Sequence, residues 1–160
     1  MRLKNIQKNR GFVILFAVVL SAILLTITLG VANVALKEVK FSTSDRDSNF
    51  SFFAADSGIE CALFNDKPPT AFPWPYVSPT SIACASTVPV YDVPTSTYSF
   101  LVTSLGSTGV SCAKVTILKD GTTNPPNILT TVIAKGYNIG DSSCAWTDPN
   151  RIERQIKVTY

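Results

Sequence analysis

Cys61, Cys84, Cys112 and Cys144 are the residues best equipped for covalent chemistry in this chain of 160 residues. Cysteines can bind zinc, act as nucleophiles or pair with one another. Zinc sites favour closely spaced Cys and His ligands, and this chain has no C-x-x-C pair and no histidine. The absence of histidine also rules out Ser-His-Asp and Cys-His catalytic arrangements. An even set of cysteines with wide spacing points instead to two disulfides, which need an oxidising compartment. Four cysteines allow three connectivities, and the order of the surrounding elements must choose among them.

The other polar groupings lead to no reaction. Asp56 and Glu60 lie four apart on one expected helix face, a spacing that invites acid-base chemistry but more often forms a solvated stripe. The run from Gly106 to Gly109 is a turn and not a phosphate cradle, because no helix is expected to follow it. Asp141 and Asp148, with Asn138 and Asn150, supply oxygen ligands suited to calcium, but their spacing is not that of an EF-hand. The sequence therefore assigns no catalytic residue, no cofactor and no metal, and the protein is not expected to be an enzyme.

The strongest element is a run of 25 residues, Phe12 to Leu36, with no charge, no proline and one glycine, Gly30. At about 1.5 Å per residue it makes a helix of roughly 37 Å, enough to cross a hydrocarbon layer of about 30 Å. Arg2, Lys4, Lys8 and Arg10 precede it, whereas Lys37, Glu38 and Lys40 sum to a single positive charge after it. That bias places the N-terminus in the cytoplasm and the residues after Leu36 outside. The run is too long for a cleaved secretory signal, and Ala32 and Ala35 have the wrong spacing for its processing site. A plain single-pass anchor satisfies length and charge equally well.

The junction adds information that an anchor does not need. Basic residues ending at Gly11-Phe12, followed at once by an apolar helix, resemble the leader of type IV pilins and pseudopilins. The segment FFAADSGIE at residues 52–60 resembles part of the lower helix of many minor pilins. The resemblance covers roughly the first 60 residues. It implies cleavage after Gly11 by a prepilin peptidase and N-methylation of Phe12. It also implies storage as a single-pass protein of the cytoplasmic membrane, then assembly with other pilin subunits by inner-membrane machinery into a cell-surface filament. Major pilins usually carry glutamate at the fifth mature position, where this chain has Phe16. That departure favours a minor or tip-proximal subunit. A tip adhesin or DNA-uptake module, and a pseudopilin of type II secretion, are the alternatives.

Removing residues 1–11 takes away four of the 14 basic residues and none of the 11 acidic ones, so the mature charge is 10 − 11 = −1. The precursor's net charge of +3 is therefore no nucleic-acid footprint. The expected division is leader 1–11, apolar half-helix 12–36, lower helix 37–64 and a globular part 65–160.

One helix should run from Phe12 to Asn65, because nothing breaks it before Asn65-Asp66 and Pro68-Pro69. Val39, Phe50, Phe53, Ala54 and Cys61 give an approximate helical period for packing on a sheet. Residues 65–96 form a loop holding seven of the ten prolines. Within it, Phe72, Trp74 and Tyr76 make a candidate contact surface for another subunit, or else cover the edge of the protein's own core.

Alternation then predicts strands at 97–104, 112–119, 128–137 and 151–160. In the last strand Ile152, Ile156, Val158 and Tyr160 share a face that Arg154 interrupts, a pattern suited to the sheet margin. The expected fold is α+β: a long helix packed on a four-strand antiparallel meander, which the pilin resemblance also implies. In that arrangement Cys61 should pair with Cys84, joining the helix end to the loop. Cys112 should pair with Cys144, since a meander sets the start of one strand beside the end of the next.

Overall fold

The computed structural model describes residues 10–67, 71–77, 81–122, 127–145 and 147–160. It contains one helix, α1 (Arg10–Asn65), followed by β1 (Val90–Asp92), β2 (Thr97–Leu105), β3 (Ser111–Asp120), β4 (Leu129–Tyr137) and β5 (Glu153–Thr159). The chain divides into two compact units, residues 1–43 and Ser44–Tyr160.

In the first unit every side chain from Phe12 to Thr43 is exposed. The segment is long and apolar enough to cross a membrane, with a mean hydropathy of 2.9 in its most apolar window. Hydroxyls in its apolar part bond back to their own helix: Ser21 Oγ donates to the Ala17 carbonyl at 2.7 Å and Thr26 Oγ1 to the Ile23 carbonyl at 2.8 Å. Such internal pairing removes the cost of a bare polar group in an apolar medium.

In the second unit the strands form one antiparallel sheet in the order β1-β2-β3-β4-β5, and α1 residues from Ser44 onward pack on one face. The sheet has five strands where four are expected from the sequence. The extra one, β1, lies in the proline-rich segment read as loop, and three residues are too short to show an alternating pattern. It pairs through Tyr91↔Tyr98. Beyond it, Ser86 N donates to the Leu101 carbonyl at 2.7 Å, and Thr103 N donates to Ser86 Oγ at 2.8 Å. These contacts occupy backbone groups that the outer edge of β2 would otherwise present for pairing with another chain.

The core joins Tyr98, Phe100 and Val102 of β2 to Ala113, Val115 and Ile117 of β3 and Val132 and Ala134 of β4. Alternation puts each triplet or pair on one face, as the period of two requires. From α1 the core receives Ala55, Ile59 and Ala62, with Ser51 and Ala54 also buried. This corrects the packing period read from the sequence: Val39 and Phe53 are exposed, and Phe50 is only half-buried.

Small residues explain the difference. A Cβ on Gly58 would meet Val115 Cγ2 at 2.8 Å, and one on Gly136 would meet the Ser51 carbonyl oxygen at 2.0 Å. The helix therefore sits too close to β3 and β4 for a phenylalanine to face the sheet. Its contact stripe is built from Ser51, Ala55, Gly58 and Ala62, at the three- and four-residue steps of one helix face.

The end of α1 is closed locally. Asn65 Nδ2 donates to the Cys61 carbonyl at 2.8 Å, and Asp66 N donates to the Ala62 carbonyl at 3.0 Å. Pro68 and Pro69, expected to stop the helix, lie outside the described residues.

Candidate functional site

With the small residues of α1 and Ile59 turned to the sheet, Phe52, Phe53 and Phe64 are left outside. At about 100° per residue, Phe53, Asp56, Glu60 and Phe64 form a stripe roughly opposite Ser51, Ala55, Gly58 and Ala62. Phe53 is 61% exposed and Phe64 74%, while Phe52 on the flank is 47% exposed and touches Phe53 edge-on at 5.9 Å. The surface thus combines three aromatic rings with two carboxylates. Asp56 and Glu60 stand among these rings on the outer side of the helix. The signal in the sequence is Phe52, Phe53 and Phe64 themselves, although the approximate helical period places Phe53 inward.

Of the two expectations for the proline-aromatic segment, contact surface or cover for the protein's own core, Phe72 meets the second. Phe72 is fully buried, stacked on Phe100 at 5.9 Å and tilted against Tyr98 at 5.5 Å, so it is core and unavailable to another subunit. Trp74 is half-buried and lies over Gly121, where a Cβ would stand 2.2 Å from its Nε1. Tyr76 alone of the three is exposed, at 42%, and it stacks on Tyr91 at 3.5 Å. The Tyr98 hydroxyl donates to the Pro73 carbonyl at 2.7 Å and fixes the segment to β2. Burial raises the pKa of that hydroxyl.

The structure joins Cys61 to Cys84 and Cys112 to Cys144, each with Cα atoms 5.8 Å apart, and no described cysteine is free. The first bond fastens the last turns of α1 to the segment before β1. The second fastens the start of β3 to the 138–150 segment. Cys144 itself lies beyond β4 and not at a strand end: Cys112↔Tyr137 is the registered pair, and the chain folds back to bring Cys144 over Cys112.

Polar groups in that segment are used to shape it. Asp141 Oδ1 accepts from Ser143 N at 2.9 Å, Ser143 Oγ at 2.7 Å and Ala145 N at 3.0 Å. These bonds, the one from Ala145 foremost, hold its carboxyl below the usual range. Asp148 Oδ1 accepts from Asn150 N at 2.7 Å, and Asn138 bridges the base of the loop to Asn150 and Ile152. Among the described residues no group of three or more His, Cys, Asp or Glu side chains is placed to hold a metal.

Beside this loop, the Arg151 guanidinium lies 3.7 Å over the Tyr137 ring and donates to the Cys144 carbonyl at 2.7 Å. Glu153 pairs with Lys135 at 3.1 Å. Burial, with a smaller contribution from Glu153, pushes the Tyr137 hydroxyl up to about 12. Tyr137, Asp148, Arg151 and Glu153 border an open depression of about 540 Å³.

Two further contacts had no sequence signal, because their partners are far apart in the chain. Arg154, which interrupts the apolar face of β5, donates through Nε to Ser48 Oγ of α1 at 2.8 Å. Asp66, just after α1, is paired with Lys119 of β3 and accepts from the Tyr160 hydroxyl at 2.8 Å.

At the expected processing site, Gly11 lies in α1 and Phe12 is exposed, whereas leader residues 1–9 lie outside the described residues. No protein-family model matches the chain, and no curated protein or solved structure matches it either.

Proposed function

We propose that this chain is a structural subunit, minor or tip-proximal, of a type IV pilus-like filament. In this reading it is cleaved after Gly11 by a prepilin peptidase, N-methylated at Phe12, and drawn from the cytoplasmic membrane into a helical assembly. The observation that carries the reading is the outer face of α1 in the folded domain, where Phe52, Phe53 and Phe64 are exposed. A membrane anchor accounts for the apolar residues 12–36 and requires nothing of Phe64. A helix that packs against neighbouring helices both inside and beyond the membrane requires apolar groups along both parts. In the apolar half, subunit contacts would replace lipid contacts with van der Waals packing.

Further support comes from the Gly11-Phe12 junction, the α+β arrangement of the domain and its two disulfides. Asp56 and Glu60 on the same stripe would orient a neighbour bearing cations, a polar rim around an aromatic centre. Terminal sequencing of the mature protein by mass spectrometry should find methylated Phe12, and Gly11→Ala should impair cleavage. Phe53→Ser with Phe64→Ser should leave the melting temperature nearly unchanged and lower the protein's share in sheared filaments. An intact Met1 terminus in assembled material, or undiminished incorporation of the double variant, overturns the reading.

A further inference from the structure

We propose that Asp66 and Lys119 condense to an intramolecular amide, a covalent cross-link between the end of α1 and β3. The two side chains are in direct contact and retain only 5% and 8% of their exposure, respectively. Lys119 Nζ donates to Asp66 Oδ1, and the Tyr160 hydroxyl donates to Asp66 Oδ2 at 2.8 Å. Asp120, the carboxylate next to Lys119 in sequence, is occupied in its own turn, accepting from Thr122 N at 2.9 Å and Thr122 Oγ1 at 2.8 Å. The reacting pair, the Lys119 amine and the Asp66 carboxyl, is joined by the Tyr160 hydroxyl, so that three distant parts of the chain meet here.

Transfer of a proton from Lys119 Nζ to Asp66 Oδ1, along the hydrogen bond they share, produces the neutral amine and carboxyl. The Nζ lone pair then attacks Asp66 Cγ, forming the N–C bond and moving negative charge onto Oδ2, where the Tyr160 hydroxyl stabilises it. Collapse of this intermediate breaks the Cγ–Oδ1 bond. Oδ1 departs as water, taking the transferred proton and a second one from nitrogen. One amine and one carboxylic acid give one amide and one water, with no change of oxidation state and no further reactant.

The product removes two buried charges whose desolvation is costly even when they are paired. It also closes a loop of 53 residues, wider than the 23 and 32 spanned by the disulfides, and it survives reduction. The cross-link stands on the chemistry of the domain and is independent of the filament reading.

The test is a proteolytic digest of the full-length protein, purified in detergent and reduced with thiol, followed by tandem mass spectrometry. The expected product is a branched peptide joining Asp66 to Lys119, lighter by one water than the sum of its two arms. Lys119 should stay unreactive toward an amine-acetylating reagent after denaturation, and Lys119→Arg should yield linear peptides alone. Linear wild-type peptides of full mass, with Lys119 acetylated on unfolding, overturn the proposal. The wild-type digest decides this without requiring any variant to fold.

Discussion

Gly136 of β4 lies so close beneath Ser51 of α1 that a Cβ on the glycine would stand 2.0 Å from the Ser51 carbonyl oxygen. It would also stand 2.3 Å from the Ala55 nitrogen, so the helix backbone itself rests on this position. Backbone atoms cannot swing aside as a side-chain tip can. Gly136→Ala should therefore cost about 3 kcal/mol, the upper end of ordinary overpacking penalties. Gly109→Ala is the control: nothing lies within 4 Å, and only its positive φ opposes the change. Its cost should be about 1 kcal/mol. Denaturant unfolding of the two variants measures the difference, and equal midpoints would contradict the close-approach argument.

How much of this was legible in advance depends on the distance over which each signal acts. The length of α1, the alternation in β2 to β5 and the apolar run after Gly11 are local patterns, and they can be read from neighbouring residues. Of the helical period that the sequence offers, Ala54 and Cys61 are buried and the larger Val39 and Phe53 are exposed. Space at Gly58 and Gly136 decided for the small ones. For Phe72 the sequence leaves two readings, a presented surface or cover for the protein's own core, and the choice rests on stacking against Phe100 of β2, which is remote in sequence. The Asp66, Lys119 and Tyr160 contact had no local pattern at all. Its members are brought together only after helix, sheet and C-terminal residue are in place.

The disulfides make separable contributions. Loop-closure entropy for spans of 23 and 32 residues corresponds to about 3 to 4 kcal/mol each, a model-dependent upper figure. Cys84→Ser with Cys61→Ser should free the proline-aromatic segment and weaken the Phe72 packing, so near-ultraviolet circular dichroism of the aromatics should fall. Cys112→Ser with Cys144→Ser should disturb the 138–150 segment and the Arg151–Tyr137 contact while leaving the Phe72 signal in place. Non-reducing peptide mapping checks the pairing itself, and recovery of crossed peptides would reject it.

Stability should fall at both ends of the pH range through identifiable groups. The carboxyl of Glu153 lies below its ordinary value of 4.5, first because the Tyr137 hydroxyl donates to it and then because Lys135 is adjacent. Asp141 lies below 3.8, held chiefly by the bond from Ala145 N. A depressed carboxylate contributes stability above its unfolded value and loses it as pH falls through the folded one, so both contributions disappear on acidification below about 4. Tyr137 has the opposite sign. Its value is raised from 10.0 to about 12, so its contribution is full below 10.0 and lost as pH rises toward about 12. Melting temperature against pH should show a plateau between these limits. Glu153→Gln should flatten the acid limb and shift the Tyr137 tyrosinate transition downward; an unchanged transition would remove Glu153 from its causes.

Phe16 separates a tip position from a shaft position. It is exposed in the apolar part of α1, at the fifth residue after the expected cleavage. A lone carboxylate there would cost about 2.5 to 3.5 kcal/mol on the membrane-insertion scale unless a neighbouring ammonium neutralised it. In the proposed filament, as the pilin resemblance implies, a subunit within the shaft would meet the terminal ammonium of a neighbour, so glutamate at this position would gain a charge-assisted partner. A subunit at the tip of that filament would meet none and would bear the cost alone. Phe16→Glu should therefore reduce incorporation or leave it unimproved, measured as the ratio of protein in sheared filaments to total cellular protein. Enrichment of the variant along the shaft would count against the tip-proximal placement while leaving the filament reading intact.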